Sequence, residues 1–298
     1  MIDRATMSTA SAVPLDGRTV PTDEHLLEDP RFTRLLRDAL LGVGEFAGAN
    51  VIMQLSRLPV GRGVAESRVE SGRLDRHPFK RARTTGGFLA IALLGTEAEQ
   101  RAVRDEINRQ HRQVRSRPGD PVAYNAFDAD LQLWVAACLY RGFDDYLRLY
   151  RAAEYAPYHD AFYRHAARLG TTLQMPVDRW PADRAAFERY WDAAVAEIRL
   201  DEVTRTFLQG FARTDFLPAP LRRVVGPPLE ALAIGHLPGP FREALGIPWT
   251  PALQRRFRLA RRLLRAVDAL VPRPLLLAPV TVGEWDVRRR LHAGRPFV

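Results

Sequence analysis

The stretch DADLQLWVAACLYRGFDDYLRLYRAAE, residues 128–154, indicates the fold class of this chain. Asp128 is a residue type that caps helix N-termini, and the largely apolar run that follows is too long for a strand. A helix that is apolar on most of its sides must be surrounded by other elements. The stretch therefore predicts the central helix of a larger helical assembly.

Two stretches upstream carry clear helix signals at their ends. Residues 78–95, PFKRARTTGGFLAIALLG, start at a proline and close at Gly95. Residues 96–116, TEAEQRAVRDEINRQHRQVRS, start with Thr96 followed three residues later by Glu99. That pair is typical of a capping box, in which each side chain bonds the backbone of the other residue. Both stretches are predicted helices.

No stretch alternates apolar and polar residues as a half-buried strand does, and no Asn-Gly or Asp-Gly turn joins two such stretches. We predict an all-α fold, a single bundle of about ten helices over residues 23–298. Residues 1–22 are rich in Ser, Thr, Pro and Ala without periodicity, which indicates a flexible N-terminal tail. Residues 250–271 form the last helix that the sequence indicates clearly.

Composition narrows the classes of function. The net charge is +9, but it is carried almost wholly by arginine and no nucleic-acid-binding signature accompanies it, so we predict no nucleic acid partner. The longest apolar runs have eight residues, whereas a membrane span needs about 20. The single cysteine, Cys138, excludes an intrachain disulfide and a zinc site built from cysteines. A cytoplasmic location agrees with these features.

His111 is the first candidate for a functional residue. With about 100° per residue, Ile107 and Val114 fall within about 40° of Val103, and His111 lies at about 80°. The histidine therefore stands at the edge of the apolar stripe of its predicted helix. Periodicity alone leaves two interpretations open: a packed histidine satisfied by a hydrogen bond, and a ligand of a metal or a haem.

Arg81 and Thr85 are a second candidate pair. They are four residues apart and share one helix face, with Thr84 adjacent. An arginine and a hydroxyl on one face can hold an anion or a polarised ligand oxygen, although surface pairs of this kind are common. The following Gly86-Gly87 would let a flat or bulky group approach the backbone, or would simply kink the helix.

Three other features each allow two interpretations. Glu66 lies in a predicted loop, residues 59–77, and is a solvated carboxylate or a catalytic residue. Cys138 on the apolar helix is a small buried side chain or a thiolate ligand of haem. The C-terminal helix, residues 253–271, packs on the core or docks on an anionic membrane surface. Its apolar residues are Leu253, Phe257, Ala260, Leu264, Val267 and Val271, and its arginines are 255, 256, 258, 261, 262 and 265.

A set of segments over roughly residues 30–250 resembles, in order, the MpaB/latex-clearing protein family, haem-dependent oxygenases that cleave isoprenoid carbon–carbon double bonds. No single motif carries the likeness. The segments are VIMQLSRLPVGRGVAES (51–67), HPFKRARTT (77–85), INRQHRQVRS (107–116), PVAYNAFDADLQLWVAACLYRGF (121–143), LGTTLQMPVDRWPADRAAFERYW (169–191) and LPGPFREALGIPW (237–249).

The resemblance implies a helical bundle around a haem b whose proximal iron ligand is His111. It places Arg81 and Thr85 on the distal side, and Glu66 at an acidic position proposed as a base. The rubber-cleaving members have a lysine where this chain has Thr84, which argues against rubber as the substrate. We expect dioxygen and a hydrophobic, isoprenoid- or terpenoid-like substrate.

The substrate would lie in an apolar pocket formed by residues 88–94 and 131–139. Two alternatives to an oxygenase are a non-catalytic haem protein, such as a carrier or sensor, and a haem-free helical protein. The haem-free protein would bind lipid or a membrane surface through residues 253–271.

Overall fold

The computed structural model of the chain describes residues 23–66 and 77–296, so the predicted tail of residues 1–22 lies outside the described part. The all-α prediction is confirmed: this part consists of helices and their connections, with one isolated bridge and no strand. The α-helices are α1 (Pro30–Leu41), α2 (Val43–Leu55), α3 (Leu58–Ala65), α4 (Pro78–Leu94), α5 (Glu97–His111), α6 (Ala129–Tyr150), α7 (Ala152–Tyr155), α8 (His159–Ala166), α9 (Arg168–Thr171), α10 (Arg184–Ala196), α11 (Glu202–Ala212), α12 (Ala219–Gly235), α13 (Gly239–Leu245), α14 (Pro251–Leu270) and α15 (Arg273–His292). None of them is both long and apolar enough to cross a membrane.

Helix α6 lies at the centre, as its apolar sequence predicts. The Asp128 carboxylate caps it by accepting from the backbone N–H groups of Asp130 and Leu131. Trp134 is fully buried, stacks on Trp191 of α10, and donates its indole N–H to a carbonyl of α2 at 3.0 Å. The surrounding helices include α1, α2 and α9. One continuous core therefore wraps this helix.

The predicted starts of α4 and α5 are confirmed, but α5 ends earlier than expected. The capping box of Thr96 and Glu99 is present in both directions. The prediction that the helix continues to Ser116 is wrong, because α5 ends at His111. Residues 114–116 instead pair with residues 124–126 through backbone hydrogen bonds of 2.9–3.0 Å. Backbone pairing with a later segment thus overrides local helix propensity.

The predicted loop of residues 59–77 is wrong in its first part, which forms α3. Pro59 occupies the first turn, where its missing N–H costs nothing. Gly61 and Gly63 are buried, and a Cβ on Gly61 would lie 2.4 Å from the carbonyl oxygen of Leu55. Close packing therefore explains glycines that sequence analysis assigned to a loop.

The structure extends beyond the last clearly predicted helix with α15, which packs against α1, α4 and α5. Pro272 and the internal Pro279 obscure this helix in the sequence, because proline normally ends one. Its first turn is fixed by Arg273, which pairs with the fully buried Asp38 of α1 and with Glu154. The sequence therefore did not indicate this last helix, and the predicted number of about ten is below the fifteen α-helices of the described residues.

Candidate functional site

His111 occupies the last turn of α5 and is half-buried, with its ring edge-on to Phe127 at 6.2 Å. Its Nδ1 atom is buried and makes no hydrogen bond with any described residue. Burial lowers the pKa of the imidazole to about 4, and the charge of Arg81 lowers it further in the same direction. The ring is therefore neutral at neutral pH, and it is not the hydrogen-bonded core histidine that periodicity allowed.

A polar network anchors the end of α5 that carries His111. The side chain of Gln174 donates to Asn108, which lies one turn before His111, and accepts from Gln132 of α6 at 2.5 Å. Gln132 also donates to the carbonyl oxygen of Ala126 at 2.9 Å. The network ties together α5, α6 and the segment that leads into α6. It therefore holds in place the turn of α5 from which the histidine projects.

Arg104 anchors the same face of α5 one turn earlier. Its guanidinium donates to the carbonyl oxygens of Thr171 and Thr172 at 2.6 and 3.2 Å. Arg104, Asn108 and His111 are spaced by four and three residues, so they share one helix face. Arg104 and Asn108 bind the segment of residues 171–174. The buried Nδ1 atom of His111 has no polar partner among the described residues.

Arg81 of α4 is the charged neighbour of His111. Its side chain is accessible to solvent, yet the surrounding protein desolvates the guanidinium and lowers its pKa. The guanidinium has no ion-pair partner among the described residues, so its donors are available to a ligand.

The two threonines after Arg81 differ in what their hydroxyls bind. Thr84 is buried, and its hydroxyl donates to the carbonyl oxygen of Arg81 at 3.0 Å. Thr85 is half-buried, and its hydroxyl has no partner among the described residues. The helix itself therefore uses the Thr84 donor, whereas the Thr85 hydroxyl and the Arg81 guanidinium stay available on one face.

Glu66 is an exposed residue at the end of α3. Its carboxylate pairs with Arg62 of the same helix, and Arg62 also donates to Asp201 at 2.6 Å. Helix α3 lies beside the hairpin that follows His111, since Gly63 packs against the ring of Tyr124. No contact within the described residues joins Glu66 to His111, so its assignment as a base stays a prediction.

Cys138 is fully buried in α6, and burial raises the pKa of its thiol well above the usual value. A thiol in that environment stays protonated, which favours the packing interpretation over a thiolate ligand.

Gly86 lies in open space, because a Cβ there would meet no described atom within 4 Å. The structure therefore does not explain that glycine by packing.

The segments predicted to form an apolar pocket lie mainly in the core. Residues 89–93 and most of 132–139 are buried in the packed interior. Phe88, Leu94 and Val135 are only partly buried at its edge. These three side chains and Leu131, which is also partly buried, are the members of the predicted set that have surface left for a ligand, so the pocket itself stays a prediction.

Comparisons with known proteins identify one family and two relatives. Residues 33–266 match the family described as "ER-bound oxygenase mpaB/B'/Rubber oxygenase, catalytic domain". Uncharacterized proteins of Mycobacterium bovis and Mycobacterium tuberculosis are each 47% identical to the chain over 251 residues, which are 84% of this chain and 98% of each relative. No solved structure matches the chain.

Proposed function

Since the chain belongs to the family of mpaB and rubber oxygenase catalytic domains, we propose that it is a haem b-dependent oxygenase. Its co-substrate would be dioxygen, and its substrate a hydrophobic, isoprenoid- or terpenoid-like molecule with a carbon–carbon double bond. The family supports an oxygenase domain. Haem dependence and the substrate class are the parts that we propose.

One observation carries the haem proposal: the His111 imidazole is neutral, and its buried Nδ1 atom has no hydrogen-bond partner among the described residues. A buried polar atom without a partner costs about 1–3 kcal/mol and is rare in native proteins. A neutral imidazole is also the form that binds iron. The residues present therefore fit a haem, and His111 is the residue that would hold its iron.

The other candidate residues would act around that group. When bound, haem supplies the dioxygen chemistry that side chains lack. Arg81 and Thr85 present donors on one face of α4, so they would orient an oxygen atom of the co-substrate by hydrogen bonds. Thr84 would act through the helix that carries them, because its hydroxyl binds the Arg81 carbonyl oxygen. Glu66 would accept a proton, as the resemblance implies, if the bound substrate reaches its carboxylate.

An absorption spectrum of the purified chain, oxidised and then reduced with dithionite, tests this proposal. We expect a Soret band that His111→Ala abolishes and that the exposed control His25→Ala retains. Dioxygen consumption with squalene as an isoprenoid probe tests turnover. A folded, haem-supplemented chain without a Soret band would overturn the proposal. A Soret band without any dioxygen-dependent product would instead support a haem carrier or sensor.

A further inference from the structure

Helix α14 packs on the rest of the protein through the stripe that sequence analysis identified. Leu253 and Ala260 are buried, and Phe257 packs against Gly235 of α12 and edge-on to His236 at 5.0 Å. Leu264 is half-buried on the same side. The prediction that this stripe packs on the core is confirmed for these four residues, which therefore cannot also face a membrane, but it is wrong for Val267, which is 46% exposed.

The opposite side of α14 carries a second apolar stripe that sequence analysis missed. Leu259, Leu263 and Leu270 are 60%, 61% and 81% exposed. With about 100° per residue, they lie within about 40° of one another and about 100–140° from Leu264. A single exposed leucine is ordinary, but three on one face of one helix form a patch. We name Leu259, Leu263 and Leu270 the outward stripe.

Exposed apolar side chains continue past the end of α14. Leu275, Val282 and Trp285 of α15 are all more than half exposed. They also share one face of their helix, since they are spaced by seven and three residues. Two consecutive helices therefore each carry exposed apolar side chains on one face.

The charges around the outward stripe are almost all positive. Helix α14 contains six arginines and one acidic residue, Asp268, and both carboxylate oxygens of Asp268 bind Arg151 at 2.7 Å. Five of the six arginines have no ion-pair partner among the described residues. They are Arg255, Arg256, Arg258, Arg262 and Arg265. Arg255 and Arg262 flank the outward stripe on one side, and Arg256 flanks it on the other.

We infer that the outward stripe of α14 docks on an anionic lipid membrane surface, with the leucines at the acyl boundary and the arginines at lipid phosphates. An amphipathic helix with leucines on one face and arginines beside them binds such a surface through both apolar burial and electrostatic attraction. A second copy of the chain would bring the same positive charge to the contact, which would repel. Nucleic acid would match the arginines but would leave the leucines in water. This inference does not depend on the proposed oxygenase activity.

Co-sedimentation of the full chain with vesicles tests the docking. We expect binding to vesicles of phosphatidylcholine and phosphatidylglycerol in equal parts, weaker binding as salt rises, and little binding to phosphatidylcholine alone. Leu259→Gln/Leu263→Gln should lose the binding. Val224→Gln is the matched control, because Val224 of α12 is also an exposed apolar side chain, outside α14.

A second pair of variants isolates the charges. Arg255→Gln/Arg262→Gln should weaken vesicle binding roughly thirtyfold, because each of the two basic residues near an anionic surface contributes about 1 kcal/mol. The charge-matched control Arg117→Gln/Arg189→Gln removes two exposed arginines elsewhere and should bind as the unmodified chain does.

Equal binding to both vesicle compositions would overturn the inference. Unchanged binding by the leucine variant would do the same. A concentration-dependent dimer that Leu259→Gln/Leu263→Gln dissociates, with no vesicle binding, would assign the stripe to a second copy instead.

Discussion

The positive charge of Arg81 lowers the pKa of His111, so these residues of α4 and α5 lie close enough to interact electrostatically. Burial is the larger cause, and together they bring the pKa to about 4 from an ordinary 6.5. In the unfolded chain His111 takes up a proton as pH falls below about 6.5, whereas in the folded chain it does so only near pH 4. The folded state therefore loses stability across that window, and nothing is lost above it.

We predict that at pH 5 this titration costs the haem-free protein about 1–2 kcal/mol of unfolding free energy. His111→Gln removes the titrating group, so its stability should fall less than that of the unmodified chain between pH 7 and pH 5. Urea unfolding at the two pH values measures the difference. His25→Gln, a change at an exposed site, should follow the unmodified chain. Parallel losses in all three proteins would contradict the prediction.

Removing the charge of Arg81 should raise the pKa of His111. Arg81→Met leaves a side chain of similar length without the guanidinium, so only the electrostatic cause is removed and burial still holds the pKa below 6.5. An NMR titration of the His111 ring in the haem-free protein measures this shift. Arg83→Met, an exposed arginine two residues along the same helix, is the control and should shift the pKa of His111 less. An unchanged pKa in Arg81→Met would show that the two side chains do not interact.

Gln174 should stabilise the turn that carries His111. Gln174→Ala removes the donor to Asn108 and the acceptor for Gln132, and it leaves buried polar groups without partners. We expect a loss of about 1–3 kcal/mol in unfolding free energy, measured by urea unfolding of the haem-free protein. If His111 holds haem, the variant should also lose haem to an acceptor protein faster. Gln113→Ala changes an exposed glutamine of the adjacent turn. This control should change neither the unfolding free energy nor the rate of haem loss.

The sequence predicted those features that local signals determine. The capping box marks the start of α5, and the spacing of four predicts the shared face of Arg81 and Thr85. The end of α5 at His111 depends on pairing with residues 124–126, which no local signal of α5 carries. Gln174 reaches Asn108 across 66 residues of sequence, so the network became visible only in the fold.

The sequence also did not reveal every apolar face of α14. Periodicity found the inward stripe of α14, because Leu253 and Phe257 belong to the regular apolar pattern. The outward stripe was hidden, because leucines interspersed with arginines do not produce a second pattern that stands out. For Asn108, by contrast, the helical spacing alone predicts a position one turn before His111 on the same face of α5.

The contact of α2 with α12 should tolerate no side chain at Gly48. A Cβ there would lie 2.6 Å from the Cβ of Ala233 and 3.2 Å from its Cα, so one helix would have to move. Gly48→Ala should therefore destabilise the fold by about 1–3 kcal/mol. Gly44→Ala in the same helix meets no described atom within 4 Å and should stabilise it by up to about 1 kcal/mol. Urea unfolding of both variants measures the contrast, and equal effects would contradict the close approach.

Thr84 and Thr85 offer a direct test of which hydroxyl serves the proposed reaction. Thr85→Val keeps the shape of the side chain but removes a donor that is available beside Arg81. We expect dioxygen-dependent turnover of the squalene probe to fall roughly a hundredfold to a thousandfold, as it does when an oriented donor is lost, with the Soret band retained. Thr84→Val removes only a hydrogen bond to the Arg81 carbonyl oxygen, and the backbone of α4 keeps its helical bonds without it. That variant should lose less turnover, so a larger loss in Thr84→Val than in Thr85→Val would reverse the assignment of the two threonines.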